Sequence, residues 1–592
     1  MTCRPSAGLI TGMALLRRLA DRHSIDAWLV SLVVFSLALN AVFIGSLWRH
    51  DVEARQPIMD SAYFAELAEL WAAGGAVAPE GGLFLLAPGY SVFLAFVVRL
   101  VGTHWLAVYM IQALLNAVAL GLLARFATRC APRWAAYCAV LLLTLYGPYQ
   151  LYAASLLSEA LVVPVIGTFF WLFDRRRWSA VQGALLGFAY LLRPNLGLFL
   201  IALLLWLAWR DRRRLRSMLW VLAFLFVIPA VHWATTGRAL GGSAQSAVAL
   251  YMGNHPGADG LFTNSLGLRG SIPEMAEQLE VVTENRVGRE LEPHEINRYW
   301  TGEVVRWLRE DPGAFFQNLV LKALRLLDNH EYATDHQWLR DFPPAARLFP
   351  VPFGLLAALA AAGLTRAGAF SDRLAPVVIY LLTGLAGLLI FFPSARLRFA
   401  LVPSLIVLAA VGLESLRRFR FRAVVACAVV LVMAAVGVRD HRRSEDAFGH
   451  FNRARAFLAE GRVDSARRFL DRALAVNWNV SFFHVLRAEI LRREGRQDAA
   501  ELALRVAFLL GENDAEVINR VAATALARQR WSFAETVFRR AIEVYPSAGA
   551  SYMNLCQVLI AQGRLDEART VYRRAVDLGS GRRRELEEIL GR

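Results

Sequence analysis

The sequence predicts an all-α protein in two parts, a polytopic membrane helix bundle of about 11 spans followed by a soluble α-solenoid. The bundle is predicted by many apolar runs near the bilayer-crossing length in a chain of 592 residues that is 56% hydrophobic. The solenoid is predicted by a 34-residue period that begins near residue 450. We therefore expect a cytoplasmic N-terminus over 1–26, a transmembrane domain over 27–440 and a repeat domain over 450–592.

The candidate spans follow the apolar runs of the first three quarters of the chain. They are 27–48, 105–124, 134–152, 155–173, 179–193, 195–209, 217–236, 346–364, 374–392, 399–416 and 421–438. Arg17, Arg18 and Arg22 precede the first run, and no small-residue cleavage site follows it. This run is therefore predicted to be an uncleaved span and not a signal peptide.

Arginine-rich segments between the spans predict the orientation, because short cytoplasmic loops carry an excess of Lys and Arg. Five such segments fall on the side of the N-terminus, at 125–133, 174–177, 210–216, 365–373 and 417–422. This arrangement requires that the apolar segment 88–102, which is short for a crossing, lies in the outer interface. The alternative is that 88–102 is a tilted span, which would put 125–133 and 174–177 outside.

The first arrangement makes the loops 49–104 and 237–345 external, together with the repeat domain. In a Gram-negative bacterium that side of the inner membrane is the periplasm. The location predicted is therefore an integral inner-membrane protein with a cytoplasmic N-terminus and periplasmic repeats.

Residues recur in register, 34 positions apart, in four copies near the C-terminus. The first column contains Gly461, Gly495, Gln529 and Gly563. The second contains Ala466, Ala500, Ala534 and Ala568, and the third contains Ala473, Ala507, Ala541 and Ala575. Small residues let two helices approach closely. The pattern resembles the tetratricopeptide family over about 450–580, whose stacked helix pairs usually bind protein partners.

Several functional classes have no support in the sequence. The net charge of +16 falls largely in the inter-span clusters and on repeat helices, so no nucleic-acid partner is expected. The five cysteines form no CxxC or Cys/His ligand cluster, and no P-loop, GxSxG or HExxH motif is present. We expect no cofactor and no metal.

Acidic residues collect in the loop after the first span. Asp60 is either the N-cap of a helix over 61–73 or a functional acid. Glu66 and Glu69 are expected on the solvent face of that helix. Asp51 and Glu53 are interpreted as ordinary loop acids.

Arg396 and Arg398 are predicted on the external side, against the positive-inside trend. They either extend to lipid headgroups or clamp phosphate oxygens, and Arg193, before Pro194, is a weaker case of the same kind. Glu159 lies near a span boundary and is expected to pair, for example with one of these arginines. Asn254 and His255 lie among Gly and Pro, which turn chemistry mostly explains, and remain cavity candidates.

These features, in this order, resemble the GT-C superfamily of membrane glycosyltransferases, near the protein O-mannosyltransferase and aminoarabinose transferase branch. The resemblance covers about 25–440. It is carried by Asp60-x-x-Tyr63, by APGYSVFLAFVVRLVG (87–102), by the Ser158-Glu159 pair, by LLRPN (191–195) and by RLRFALVP (396–403).

The resemblance implies a sugar donor on a polyprenyl phosphate at the outer leaflet, an acceptor that is a protein or a glycan, and contact with membrane lipids. It makes Asp60 the general base and Arg396, Arg398 and Arg193 the donor-phosphate ligands, with Tyr63 as a further cavity residue. One base and one displacement imply inversion at the anomeric carbon. Many relatives have a second acid beside the loop aspartate, whereas Met59 and Ser61 flank Asp60 here, which also argues against a metal.

Two other functions stay open at this point. The protein could be a non-catalytic membrane scaffold that acts through its repeats, or a transporter of lipid-linked sugar. A transporter often shows internal repeats of its membrane half, and none is visible here. An Asp60→Asn variant separates the enzyme from the scaffold, which should not need this carboxylate.

Overall fold

A computed structural model describes most of the chain. The described residues are 26–75, 84–236, 246–262, 266, 272–287, 289, 291–331, 348–366, 371–436, 442–511, 515–544, 546, 549–578, 586 and 589–590. They form helices and turns and contain no β-strand, so the all-α fold class is confirmed for this part of the chain. The predicted cytoplasmic N-terminus up to residue 25 and parts of both predicted external loops lie outside the described residues.

The helices of the predicted membrane domain follow the apolar runs. Their bounds are Ala27–His50, Met59–Ala72, Gly89–Val101, Trp105–Ala127, Arg133–Thr144, Gly147–Ala153, Val162–Phe173, Ser179–Leu192, Gly197–Arg210, Arg212–Met218, Leu222–Leu225, Val227–Thr236, Phe353–Leu364, Ala375–Ile390, Ala395–Phe399, Val402–Arg417 and Phe421–Val436. The 3-10 turns are Ser158–Leu161, Arg176–Trp178, Pro194–Leu196 and Leu219–Val221. The predicted external segment contributes Ser246–Met252, Ile272–Val287, Pro293–Glu310 and Pro312–Leu327.

The predicted number of spans is not confirmed. Among the described residues two helices, Ala27–His50 and Trp105–Ala127, are long and apolar enough to cross a membrane. A third candidate is the pair Gly147–Ala153 and Ser158–Phe173, which passes as one span but bends by 104°. The remaining predicted spans correspond to shorter helices or, over 217–236, to four short pieces.

Two local features of the helix bundle suit a membrane domain. On helix Gly197–Arg210, the exposed fractions of Ile201, Leu205 and Trp209 are 58%, 66% and 79%, which makes an apolar stripe suited to lipid contact. Elsewhere two helix backbones touch, because a Cβ on Gly412 would lie 1.9 Å from the Leu359 carbonyl oxygen. Such small-residue contacts are typical of helix pairs in membranes.

The short helix Gly89–Val101 packs on helix Met59–Ala72 and exposes one apolar edge. Ser91 Oγ donates to the Phe64 carbonyl at 3.3 Å. Val92, Phe96 and Leu100, spaced by four residues, are half or more exposed. This amphipathic form is what an interfacial helix needs.

The C-terminal part is an array of paired helices with the predicted period. The pairs are Arg442–Ala459 with Val463–Val476, Ser481–Arg493 with Gln497–Leu510, Ala515–Ala527 with Trp531–Val544, and Gly549–Ala561 with Leu565–Asp577. Both alanine columns are buried. The remaining column lies at the turn within each pair, where the backbone is left-handed, with φ of 75°, 76°, 57° and 77° for Gly461, Gly495, Gln529 and Gly563.

Candidate active site

Asp60 lies in the first turn of helix Met59–Ala72 and does not cap it. The N-cap is Ile58, which makes no side-chain hydrogen bond to the helix, so the N-cap interpretation of Asp60 is wrong. The Asp60 side chain is 16% exposed and forms an ion pair with Arg396. Glu66 and Glu69 are exposed on the same helix, as predicted.

Arg396 reaches the acids from a one-turn helix, Ala395–Phe399. Ser394 begins this turn, because its Oγ accepts a hydrogen bond from the Leu397 amide at 3.1 Å. The guanidinium contacts two carboxylates at once, with Nη1 donating to Asp60 and Nε donating to Glu159 Oε1 at 2.8 Å. The two donating nitrogens occupy different positions of one planar guanidinium, which lets Arg396 bridge two acids, whereas the three donors of a lysine share a single nitrogen.

Glu159 is buried at a break between two helices. It lies in the 3-10 turn Ser158–Leu161, with an exposed side-chain fraction of 1%. The Arg193 guanidinium donates to Glu159 Oε1 at 2.7 Å. Arg193 is extended, with φ −149° and ψ 97°, because the residue before a proline is driven away from the helical region.

Two amides of helix Trp105–Ala127 support the broken backbone beside Glu159. Gln112 Nε2 donates to the carbonyls of Ala153 at 3.2 Å and Ser155 at 3.1 Å. Asn116 Nδ2 donates to the Ala160 carbonyl at 2.8 Å. Buried carbonyl groups that a helix break leaves without their helical partners need such donors. The sequence reasoning did not single out either amide.

The four side chains form one connected cluster with two acids and two guanidiniums, namely Asp60, Glu159, Arg193 and Arg396. Glu159 and Arg193 are the buried members, and Asp60 and Arg396 are accessible at 16% and 17% exposure. The cluster therefore consists of a buried ion pair, Glu159 with Arg193, and a more accessible ion pair, Asp60 with Arg396. The outer carboxylate can accept a proton, and the outer guanidinium can bind an anion.

Arg398 lies two residues from Arg396 but has different partners. Its Nη1 donates to the Asp328 carbonyl at 2.6 Å, its Nη2 donates to the His330 carbonyl at 2.8 Å, and Nη2 also pairs with Glu331 at 2.7 Å. The side chain is 1% exposed and lies 4.3 Å from the Phe353 ring centre. These contacts fit a structural clamp on 328–331 better than a phosphate ligand.

Asn254 and His255 lie in a turn that docks on the end of helix Ala375–Ile390. Asn254 Nδ2 donates to the Ile390 carbonyl at 2.8 Å, and its Oδ1 accepts from Lys322 Nζ at 2.7 Å. His255 Nδ1 lies 2.8 Å from the Pro256 carbonyl. Burial lowers the pKa of Lys322 to about 7. The structure does not bring these groups into the Asp60 cluster, and the buried Lys322 was not anticipated from the sequence.

Tyr63 makes a hydrogen bond to the backbone just before helix Gly89–Val101. Its hydroxyl accepts from the Leu85 amide at 3.2 Å, and burial raises the pKa of this phenol.

Asp51 and Glu53 are buried, contrary to the expectation of ordinary loop acids. Asp51 Oδ1 accepts from the Glu53 amide at 3.0 Å. Among the described residues no three His, Cys, Asp or Glu side chains form a metal-binding group, and the expectation of no metal stays a prediction.

Two family models match the chain. The dolichyl-phosphate-mannose-protein mannosyltransferase model matches residues 86–234, and the tetratricopeptide repeat model matches 450–511 and 522–583. Together they confirm the resemblance to a GT-C glycosyltransferase with C-terminal tetratricopeptide repeats. The first match includes Glu159 and Arg193, whereas Asp60 precedes it and Arg396 follows it.

Similarity to solved structures is weak. The crystal structure of MamA aligns at 15% identity over 28% of this chain and 94% of its own, with a TM-score of 0.21. A second crystal structure of MamA protein aligns at 14% identity over 30% and 88%, with a TM-score of 0.20. The APC/C hetero-tetramer Cut9-Hcn1 aligns at 11% identity over 91% and 97%, with a TM-score of 0.23. These scores carry no argument, and no curated protein matches the chain significantly.

Proposed function

We propose that the protein is an integral membrane glycosyltransferase that moves a sugar from a polyprenyl-phosphate donor to an acceptor on the external side, with inversion. The mannosyltransferase-model match supports glycosyltransferase activity in general. The observation that carries the residue assignment is the accessible Asp60–Arg396 pair, which is backed by the buried Glu159–Arg193 pair.

In the proposed reaction Asp60 takes the proton of the acceptor hydroxyl. The acceptor oxygen attacks the anomeric carbon, and the bond from that carbon to the phosphate oxygen breaks with its electron pair on the phosphate. The leaving phosphate gains negative charge as Asp60 becomes neutral. Arg396 can then pass from the neutralised carboxyl to the phosphate, so positive charge is present where negative charge develops.

Glu159 is proposed to position the arginines and not to react. It is almost fully buried, and one of its oxygens accepts from both Arg193 and Arg396. Arg193 keeps this carboxylate paired if Arg396 moves toward the phosphate. Arg398 is not part of the proposed phosphate site. Its Nη1 and Nη2 donate to Glu331 and to backbone carbonyls within 326–330.

The external side of the reaction and of the repeats is part of the proposal. Arg55, in the loop after the first span, pairs with Glu460 of the first repeat at 2.9 Å. The loop that bears Asp60 and the repeat domain are therefore neighbours. If helix Ala27–His50 crosses from a cytoplasmic N-terminus, both lie on the opposite side of the membrane.

The test compares glycolipid and glycoprotein profiles by mass spectrometry in a deletion strain that expresses wild type, Asp60→Asn or Glu66→Gln at matched membrane levels. Glu66→Gln is the matched control, because it removes an exposed carboxylate from the same helix. We expect a glycan that is present with wild type and Glu66→Gln and absent with Asp60→Asn. Its mass would also identify the sugar.

A different pattern would reject the proposed role of Asp60. If Asp60→Asn restores the wild-type profile, transfer does not need this carboxylate. The tetratricopeptide repeats would then favour the scaffold function, since such repeats usually bind proteins.

A further inference from the structure

The segment 51–58 joins the first span to the helix of Asp60 and is held by the first repeat. Val52 is 1% exposed and belongs to the hydrophobic cluster of that repeat, with Ile58 packed against the same cluster. The cluster includes Phe451, Phe457 and Leu470 of the first helix pair and Phe483 of the next helix. Val52 is therefore part of the core of the repeat domain, and the partly buried Ile58 packs against that core.

Polar contacts secure the same segment from both sides. Arg55 Nε and Nη2 both lie 2.9 Å from Glu460 Oε1, just after the first repeat helix. From the bundle, the Tyr109 hydroxyl donates to the Ala54 carbonyl at 3.0 Å. The loop is thus fixed between the membrane domain and the repeat domain.

The backbone between this segment and Asp60 has an uncommon conformation. Met59 has φ 51°, in the left-handed region that is strained for a residue with a side chain. Ile58, anchored in the repeat cluster, immediately precedes it, and Asp60 immediately follows. Strained residues of this kind persist when their surroundings hold them, and they concentrate at functional sites.

A second contact joins the repeats to the predicted external segment. Val281, on helix Ile272–Val287, packs against the cluster formed by the later repeats. Met275, on the same helix, packs against the membrane-domain core. The repeat array therefore contacts two segments of the predicted external region.

We propose that the first repeat is a positioning element for Asp60. It holds 51–58 and so maintains the left-handed Met59 that directs the Asp60 carboxylate to Arg396. The inference rests on the proposed role of Asp60. A ligand that shifts the first repeat would change the rate of transfer through this loop.

The test reverses the charges of the Arg55–Glu460 pair in the full-length protein in the deletion strain. The variants are Arg55→Glu, Glu460→Arg and the double exchange. Glu535→Arg is the matched control, because Glu535 makes an ion pair at 2.8 Å with Arg564 within the repeat array. One readout is the amount of glycan product per molecule of membrane protein. The other is trypsin cleavage after Arg55 in spheroplasts, detected by mass spectrometry of the released peptide.

We expect each single reversal to lower product formation by about tenfold or more, because small displacements of a catalytic group are costly. The double exchange should restore most of it, and Glu535→Arg should resemble wild type. Glu460→Arg should also increase cleavage after Arg55. Greater cleavage with unchanged product would overturn the positioning role, and unchanged cleavage would show that the contact does not hold the loop.

The inference and the proposed function can fail separately. If Asp60→Asn remains active, the role of Asp60 is wrong, while the cleavage readout still reports the loop contact. If Asp60→Asn is inactive and both single reversals form product at the wild-type rate, only the positioning role is wrong.

Discussion

Arg396 forms an ion pair with Asp60 across 336 positions of the chain. The same guanidinium also contacts the buried Glu159, so it connects the carboxylate proposed to react with the one proposed to position the arginines. This double contact makes Arg396 the residue on which the proposed site depends most.

An Arg396→Lys variant should lower kcat by about a hundredfold, because the donors of an ammonium share one nitrogen and cannot reproduce the two-sided contact with Asp60 and Glu159 or a bidentate contact with phosphate. The matched control is Arg398→Lys, two residues away. It should lower thermal stability while the activity of the folded protein stays near wild type. Product formation per folded molecule, with folding measured by size-exclusion chromatography in detergent, checks both. Equal losses of activity for the two variants would contradict the assignment of Arg396, and not Arg398, to the phosphate site.

Glu159→Gln should destabilise the protein by about 3 kcal/mol, because it leaves the buried Arg193 without its carboxylate. Thermal unfolding in detergent measures the change. Glu414→Gln is the control, since Glu414 pairs with Arg418, whose side chain is 63% exposed. A Glu159→Gln protein as stable as this control would show that the buried pair contributes little.

Gln112→Leu should destabilise the helix break and lower activity together. The change removes the donor to the carbonyls of Ala153 and Ser155 and the acceptor of the Tyr90 hydroxyl, which lies 2.6 Å from Gln112 Oε1. Each unsatisfied buried group costs about 1–3 kcal/mol. Thermal unfolding and product formation are the measurements. A variant that keeps the thermal stability and the activity of wild type would show that water or another group donates to these carbonyls.

Lys322 should make stability depend on pH. Its folded pKa of about 7 is below the ordinary 10.5, so the unfolded chain binds more protons between these values. The free energy of unfolding should therefore rise from pH 7 to pH 9. Below pH 7 the contribution of Lys322 should hardly depend on pH. Lys322→Met should remove this contribution, and Asn254→Asp should reduce it by placing a carboxylate beside Nζ. An identical slope of Tm against pH in all three proteins would exclude the effect.

Gln529→Gly should stabilise the repeat domain by about 1 kcal/mol, because glycine adopts the left-handed backbone of this turn without a steric penalty. The reverse change, Gly495→Gln, should destabilise by a similar amount. Thermal unfolding of the full-length protein checks both. A loss of stability in Gln529→Gly would show that the glutamine side chain makes a compensating contact.

The parts that could be predicted depended on short-range patterns. The apolar runs located helices, and the 34-residue columns located the repeats. The structure adds that the alanine columns are buried and that the Gly/Gln column lies at left-handed turns. The role of Gln112 could not be predicted, because its partners are the carbonyls of a helix break more than forty positions away. The burial of Asp51 and Glu53 was missed for the same reason, since the loop is covered by distant parts of the fold.

The sequence by itself determined the helical class, the repeat period and the candidate acids and arginines, because these follow from local periodicity and residue type. Only the tertiary structure decided which arginine meets Asp60. Two residues along a helix correspond to about 200° of rotation, so the side chains of Arg396 and Arg398 point to nearly opposite sides and do not share one site. Which of them faces the acids depends on where the turn Ala395–Phe399 packs, and that is set by contacts from remote parts of the chain.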